Sequence, residues 1–558
     1  MTRVIVGVGA ALFVGCLNSL AWAQIVPAPE DGARVSERFA APVAPLSTGP
    51  AVKVVLESTE PPASASAVQL SIANITVSGS SVYSAAEWQE MTTGVRGQVP
   101  LSAIYDLAQT LTARYSADGY FLSRVIVPPQ ELDPANANVR LEVVEGWIDE
   151  VVWPAEIAGY RDFFSSYSRK ITAERPITIT TLERYLLLAS DLPGFEFEST
   201  LEPSTDNPGA SRLVLTTKQK GLEAFAAADN QGTDGRGPYQ FSTGLTLNNA
   251  LRQHERLAGA FSGSFETDEL LYGQIRFEQV LTAEGLTAAL SVTADGGKPG
   301  TTQLRTLMFE SRSLTFVGEL SFPLIRTRTQ NLSLFGNVFA KNYQSDALGS
   351  RFNEDRLRGV RAGFRYDRFD QWNGITQLSA TFSQGIDGLG SSANGNLLAS
   401  RASGRVDFSK IEASLTRFQS LGQGFSLVGR LNGQYAGTPL LSSEECGYGG
   451  NVFGRGFDSS ALTGDHCLLA MAELRYDAPS LPDDITQAQL FGFADYGKVW
   501  RRAPATGVAA SANAASAGVG LRLGWQDRLS AELTAAKRIF GTAGTNDWRT
   551  TFSLSARY

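Results

Sequence analysis

The residues best placed to do chemistry in this chain lie in one glycine-rich stretch from Cys446 to Tyr476, CGYGGNVFGRGFDSSALTGDHCLLAMAELRY. Glycines at 447, 449, 450, 454 and 456 permit tight and positive-φ backbone, and Arg455 lies among them with Gly456 and Phe457 directly after it. A guanidinium held away from bulk water favours a carboxylate partner, and breaking such a buried pair typically costs about 3–5 kcal/mol. The next alternating segment offers one. There Ala488, Leu490, Gly492, Ala494 and Tyr496 form an apolar face, which leaves Gln487, Gln489, Phe493 and Asp495 on the opposite face. If the long stretch folds inward, Arg455 can meet Asp495. The alternatives are a solvated surface loop, or an ion pair that merely stabilises the fold.

Cys446 and Cys467 form an even pair once a leader containing Cys16 is removed, and an oxidising compartment would join them. Their disulfide would close a loop of about 20 residues, for which chain entropy gives roughly 3 kcal/mol. Two unpaired thiols in neighbouring strands are the other reading. Enzyme chemistry finds little support. The two histidines, His254 and His466, are far apart in sequence, so a His-based zinc site or catalytic triad is not expected. Neither a G-x-S-x-G elbow nor a G-x-x-x-x-G-K-[ST] phosphate loop is present. The expectation is a non-enzyme with no metal and no cofactor. A net charge of -8 over 558 residues also argues against a nucleic-acid partner.

The elements that must position these residues begin with an export signal over residues 1–23. Arg3 supplies a positive start, Val4 to Gly15 a short apolar core, and Ala21-Trp22-Ala23 a small-x-small cleavage site before Gln24. Phe13-Val14-Gly15-Cys16 is an imperfect lipoprotein box, which makes acylation at Cys16 the alternative route. Beyond it no run of about 18 apolar residues occurs, so a membrane crossing would use strands. Residues 24–67 read as a Pro-, Ala- and Ser-rich linker with one short helix near Asp31 to Phe39.

Residues 68–151 read as a small α/β unit ordered β-α-α-β-β. Its second helix carries Leu101, Ile104, Ala108, Leu111 and Tyr115 as one stripe and stops at Asp118-Gly119. Residues 152–220 repeat the outline, with helices expected over Ala155 to Tyr167 and Thr180 to Ala189 and strands at Phe195 to Leu201 and Ser211 to Thr217. From residue 221 to 558 the texture becomes period two. Trp548, Phe552, Leu554, Ala556 and Tyr558, for example, interleave with Arg549, Thr551, Ser553, Ser555 and Arg557. A soluble sandwich would show similar alternation, but an exported chain with aromatics at strand ends favours a lipid-facing exterior and a wet lumen. About 16 antiparallel strands are expected, a transmembrane β-barrel wide enough to enclose a channel. Backbone groups in hydrocarbon must pair internally, so the barrel must close, with Tyr558 on the seam.

These motifs together carry a family resemblance. G-G-x-x-x-x-R-G-F from Gly449, followed by Gly464-Asp465 and Glu473-Leu474-Arg475-Tyr476, resembles the sixth-surface-loop signature of two-partner secretion transporters, the haemolysin-activator and filamentous-haemagglutinin-transporter family. Phe493-Ala494-Asp495-Tyr496-Gly497 is similar to that family's F-x-D-x-G strand motif. Leu101 to Tyr120 with Pro128-Pro129-Gln130 and Glu145-Gly146 resembles a first polypeptide-transport-associated (POTRA) domain, and Leu182-Glu183-Arg184 through Leu192-Pro193-Gly194 a second. Asp31-Gly32-Ala33-Arg34 is similar to the family's plug helix. Gly454 departs from the Val usual before the Arg, and the Cys446 and Cys467 pair is not a general family feature.

The resemblance implies an outer-membrane pore that works without ATP, whose two periplasmic POTRA domains capture an exoprotein by its N-terminal secretion domain and pass it through a monomeric, lipid-embedded barrel. It implies that Arg455, Gly456 and Phe457 sit in the lumen against Phe493, Asp495 and Gly497. An assembly factor for other outer-membrane proteins and a passive porin or receptor are the competing functions.

Overall fold

The computed structural model describes residues 53–54, 61–62, 64–207, 209–541 and 548–558. The export signal, Cys16 and the helix expected near Asp31 to Phe39 lie outside the described residues. The first small domain is a sheet in the order Gly97–Pro100, Gln69–Ser78, Ala137–Val144, Arg124–Ile126, covered by the helices Ala85–Thr92 and Leu101–Ala117. Ser84 opens the first helix with a capping box closed by Glu87. On the longer helix Ile104, Leu107, Ala108, Leu111 and Tyr115 are buried, and they pack on Val139, Leu141 and Val143 of the sheet. The strand Gly97–Pro100 was not expected: Gly-Gln-Val-Pro reads locally as a turn, and only its pairing with Gln69–Ile72 makes it a strand.

The second small domain has the sheet order Lys53–Val54, Phe195–Pro203, Ala210–Gln219, Trp147–Val152. Trp147–Val152 pairs in parallel with Ala210–Gln219, so the boundary between the small domains falls near residue 146 and not at 151/152. The turn at Glu145-Gly146 explains the difference, since a Cβ on Gly146 would lie 2.5 Å from Leu122 O and the chain changes sheet there. The expected helix over Ala155 to Tyr167 is also corrected. It is one 3-10 turn, Ala155–Ile157, followed by a helix Phe164–Ala173. Residues between them are diverted by tertiary contact, Arg161 N–H donating to Arg252 O at 2.9 Å. The helix Ile179–Ser190 packs Leu182, Leu186 and Ala189 onto the same core as Phe197 and Leu213.

The rest of the chain is a closed antiparallel barrel of 16 strands running from Leu222–Asp229 to Trp548–Arg557. These two strands form the seam, with Asp229 opposite Ser553 and Phe225 opposite Arg557. Tyr558 and Ala224 exchange backbone hydrogen bonds of 2.9 and 3.1 Å at its end. Alternation sorts the wall into two faces: Leu490 and Leu533 are exposed outward, while Gln489, Phe491, Phe493 and Asp495 are buried inward.

The second small domain is joined tightly to the barrel turns on its side. Val280 belongs to the domain's own hydrophobic core, with Ala283 packed against it. Asp191 accepts two hydrogen bonds of 2.7 Å from Arg326, whose side chain has no exposed surface. Glu284 takes Arg184 at 3.2 Å and the Tyr185 hydroxyl at 3.1 Å. The Leu182-to-Gly194 motif therefore lies on the face that meets the barrel.

Candidate functional site

The long connection between the strands Phe425–Ala436 and His466–Asp477 leaves the far rim and folds into the lumen. Its limbs form a short hairpin, Cys446–Tyr448 with Leu462–Gly464. A disulfide joins Cys446 to Cys467 at the hairpin's base. Two ionic anchors hold the same base. Glu444 is buried between Lys410 Nζ at 2.9 Å and Arg361 Nη2 at 2.9 Å, both from the barrel wall. Asp465, fully buried, accepts from Arg401 at 2.6 and 2.9 Å and from the backbone N–H groups of Leu440 and Arg502.

The tip carries Arg455 on a backbone that requires glycine before it. Gly454 has φ +81°, and a Cβ there would also lie 2.7 Å from the Tyr448 ring. This conformation accounts for glycine where the family usually has Val, because a β-branched residue is strained at positive φ. Arg455 donates to Asp495 from its backbone N–H at 2.9 Å, from Nε at 3.3 Å and from Nη2 at 3.1 Å. Its Nη1 donates to Glu473, and its Cζ lies 3.4 Å from the Phe493 ring centroid. Both carboxylates are buried, so the pair is strong as long as it stays complete.

The neighbours extend the lock along the chain. Gly456 N–H donates to Ser516 Oγ at 3.3 Å, Ser516 Oγ donates to Asp495 at 3.3 Å, and Gly456 O accepts from Arg538 at 2.8 Å. Phe457 is buried beneath Arg538 and against Tyr448, and its carbonyl accepts from Arg549. Gly497 is the floor on which Tyr448 rests, since any Cβ there would be driven into the Tyr448 ring. Arg455, Gly456, Phe457, Phe493, Asp495 and Gly497 thus meet in one place in the lumen.

Sequence reasoning missed half of the charge network. Glu473 holds Arg455 through one oxygen, and its other oxygen accepts from Arg475 at 2.7 Å and Arg522 at 2.8 Å. Arg522 also packs on the Phe491 ring, 3.9 Å from its centroid. Alternation held the signal: Cys467, Leu469, Met471 and Glu473 share the inward face, and Glu473 sits directly opposite Phe493 in the register. Tyr448 and Ser516 gave no comparable sign.

Comparison with known proteins agrees with this architecture. Residues 209–523 match the haemolysin secretion/activation protein family ShlB/FhaC/HecB, and residues 70–146 match the ShlB-type POTRA domain. A heme/hemopexin transporter protein HuxB from Haemophilus influenzae is 24% identical over 463 residues, covering 79% of this chain and 78% of that protein. Among solved structures, CdiB from Escherichia coli aligns with a TM-score of 0.70 at 17% identity, covering 92% of this chain and 94% of that one. CdiB from Acinetobacter baumannii aligns at 0.59 and 18%, covering 94% and 95%. The family match takes in more than half of the chain, and the chain belongs to the haemolysin secretion/activation family ShlB/FhaC/HecB, as a two-partner secretion transporter of the outer membrane whose POTRA region is periplasmic.

Proposed function

We propose that this transporter captures one exoprotein by its N-terminal secretion domain on the POTRA sheets and threads it outward through the lumen as a monomer. The Arg455 lock acts as the releasable element. The observation that carries this reading is the unequal anchoring of the lumen loop. Its base is held by a disulfide and by the Glu444 and Asp465 clusters, whereas its tip is held by hydrogen bonds and ion pairs centred on Asp495 and Glu473. A tip fixed by non-covalent contacts alone, the packing of Phe457 on Tyr448 included, can leave the pore and return, while the disulfide-bound base keeps its register.

Release exposes the two carboxylates unequally. Glu473 retains Arg475 and Arg522, so it stays compensated when Arg455 departs. Asp495 keeps Ser516 but loses its guanidinium, which makes the closed state the favoured one at rest. An extended client can add to a POTRA sheet edge through backbone hydrogen bonds with little sequence demand. Folding of the client outside then biases a diffusive passage without nucleotide.

The test is export of a co-expressed exoprotein encoded beside this chain. Deleting residues 69–219 is expected to abolish export while barrel insertion persists. A passive porin would keep its transport, and an assembly factor would on depletion lower many outer-membrane proteins instead of one or a few exoproteins.

A further inference from the structure

We propose that the outer wall of the barrel carries a seat for one phosphate-bearing glycolipid of the outer leaflet, on the strands between Glu255 and Asp370. This rests on the outer-membrane placement and is independent of how the lumen loop works. The outward face of Gln330–Ala347 runs Leu334, Val338 and Ala340 and then turns polar at Asn342. Arg358 is opposite Ala340 and Arg356 opposite Asn342, and Gln344 faces Arg312 across the other edge. Three guanidiniums therefore stand on the lipid side, at the height where the apolar band gives way to headgroups.

With Glu354 they line a groove of about 700 Å³ in the wall. That volume falls within the usual range of small-molecule sites, about 300–1,000 Å³. Its floor is kept low by Gly273, Ala294 and Gly296, and Phe261, Leu271 and Leu314 supply apolar sides. A Cβ on Gly273 would meet nothing within 4 Å, so the floor is open and not filled by a neighbour. An acyl chain fits along the side of Phe261, Leu271 and Leu314, and an anion along the arginine side.

The charges favour that anion. Arg358 donates to neutral acceptors, Asn342 Oδ1 at 2.9 Å, Leu357 O at 2.7 Å, Leu389 O at 3.3 Å and Lys341 O at 3.4 Å. Arg312 and Arg356 each touch a carboxylate two residues away, Glu310 at 3.0 Å and Glu354 at 2.9 Å. Both arginines are more than half exposed whereas the glutamates are less than a third exposed, and each pair uses Nε and Nη2, which leaves the Nη1 donors for an anion. A phosphate can instead take two parallel N–H bonds from a guanidinium, which is the stronger contact.

Mature protein purified from outer membranes in mild detergent, washed, and measured by native mass spectrometry tests the seat. Wild type is expected to retain one phosphate-bearing glycolipid per chain, and the doubly substituted Arg356→Gln, Arg358→Gln protein at most a fifth of that. Gly273→Leu, which fills the floor without touching the arginines, is expected to lower retention at least threefold. Lys498→Gln, an outward basic residue near the same rim but outside the groove, should match wild type. No retained glycolipid in wild type, equal retention in the arginine and Gly273 variants, equal loss in Lys498→Gln, or retention of a sugar-free phospholipid in its place would each overturn the proposal.

Discussion

Arg455 binds Asp495 through main chain and side chain at once: its backbone N–H and its Nε both donate to the same carboxylate oxygen, at 2.9 and 3.3 Å. Truncation to Ala keeps the first bond and removes the rest, leaving Asp495 buried without its guanidinium. Loss of a buried partner costs about 3–5 kcal/mol, so Arg455→Ala is expected to release the tip while the barrel stays heat-modifiable and exposed at the surface. Export should collapse, and the tip should become open to protease. Arg455→Lys should rescue poorly, since an ammonium lacks the planar fork that spans Asp495 and Glu473. Equal loss of barrel and export would make the pair merely structural.

Glu473 and Asp495 are expected to respond differently to neutralisation. Glu473→Gln leaves Arg475 and Arg522 without the carboxylate they share, three cations converging on a neutral group. Asp495→Asn affects Arg455 and Ser516 alone. Single-channel recording should find frequent openings in Asp495→Asn, whereas Glu473→Gln should also lower the temperature at which the barrel loses heat-modifiability. Identical behaviour of the two would count against this division of roles.

How much of this arrangement could be read in advance depended on whether the signal was local. Period-two alternation places Phe493 and Asp495 on one face and Leu490 on the other, because each strand declares its own faces. The boundary near residue 146 is hidden because strand-like sequence resumes directly after Glu145-Gly146, and only pairing with Ala210–Gln219 separates Trp147–Val152 from the sheet before it. Gly97–Pro100 was hidden for the same reason. Arg326 and Asp191 lie 135 residues apart, and no spacing rule connects them.

That pair underlies a third prediction. Arg326 is fully buried, while Asp191 is 34% exposed, so the loss on Asp191→Asn is discounted to about 1–3 kcal/mol. The second POTRA domain should loosen from the barrel and protease should cut faster near residue 220. Export should fall with it, and conductance should stay near wild type. An unchanged cleavage rate would show that the Val280 and Glu284 contacts hold the joint without this pair.

Removing the disulfide by Cys446→Ser with Cys467→Ser deletes a covalent link between residues 21 apart, for which chain entropy gives about 3 kcal/mol. The Glu444 and Asp465 clusters remain, so the base should keep its place under export conditions. The variant is expected to unfold at lower temperature, to lose the wild type's sensitivity to reductant, and to export normally. Lost export at a temperature where the barrel is intact would assign the disulfide a role in gating.

The joint between the second POTRA domain and the barrel should weaken in acid, and His254 is the reason. It lies in the turn after Gln240–Asn248, fully buried among Tyr160, Phe163, Phe164 and Phe195, with Nε2 2.6 Å from Arg161 O. That bond requires the proton on Nε2, which leaves Nδ1 buried and without a hydrogen-bond partner. Burial holds its pKa below the ordinary value of 6.5. The unfolded or detached state therefore binds more protons once the pH drops past that value. The contribution is complete above it and is lost progressively down to the lowered, folded value. Cleavage near residue 220 should accordingly accelerate between pH 7.5 and about 5. His254→Gln carries its amide nitrogen to the Nε2 position and can still donate to Arg161 O, and glutamine stands at positive φ at Gln423 and Gln526, so it should flatten the profile without loosening the joint at neutral pH. A profile that keeps its acid limb in His254→Gln would place the titrating group elsewhere.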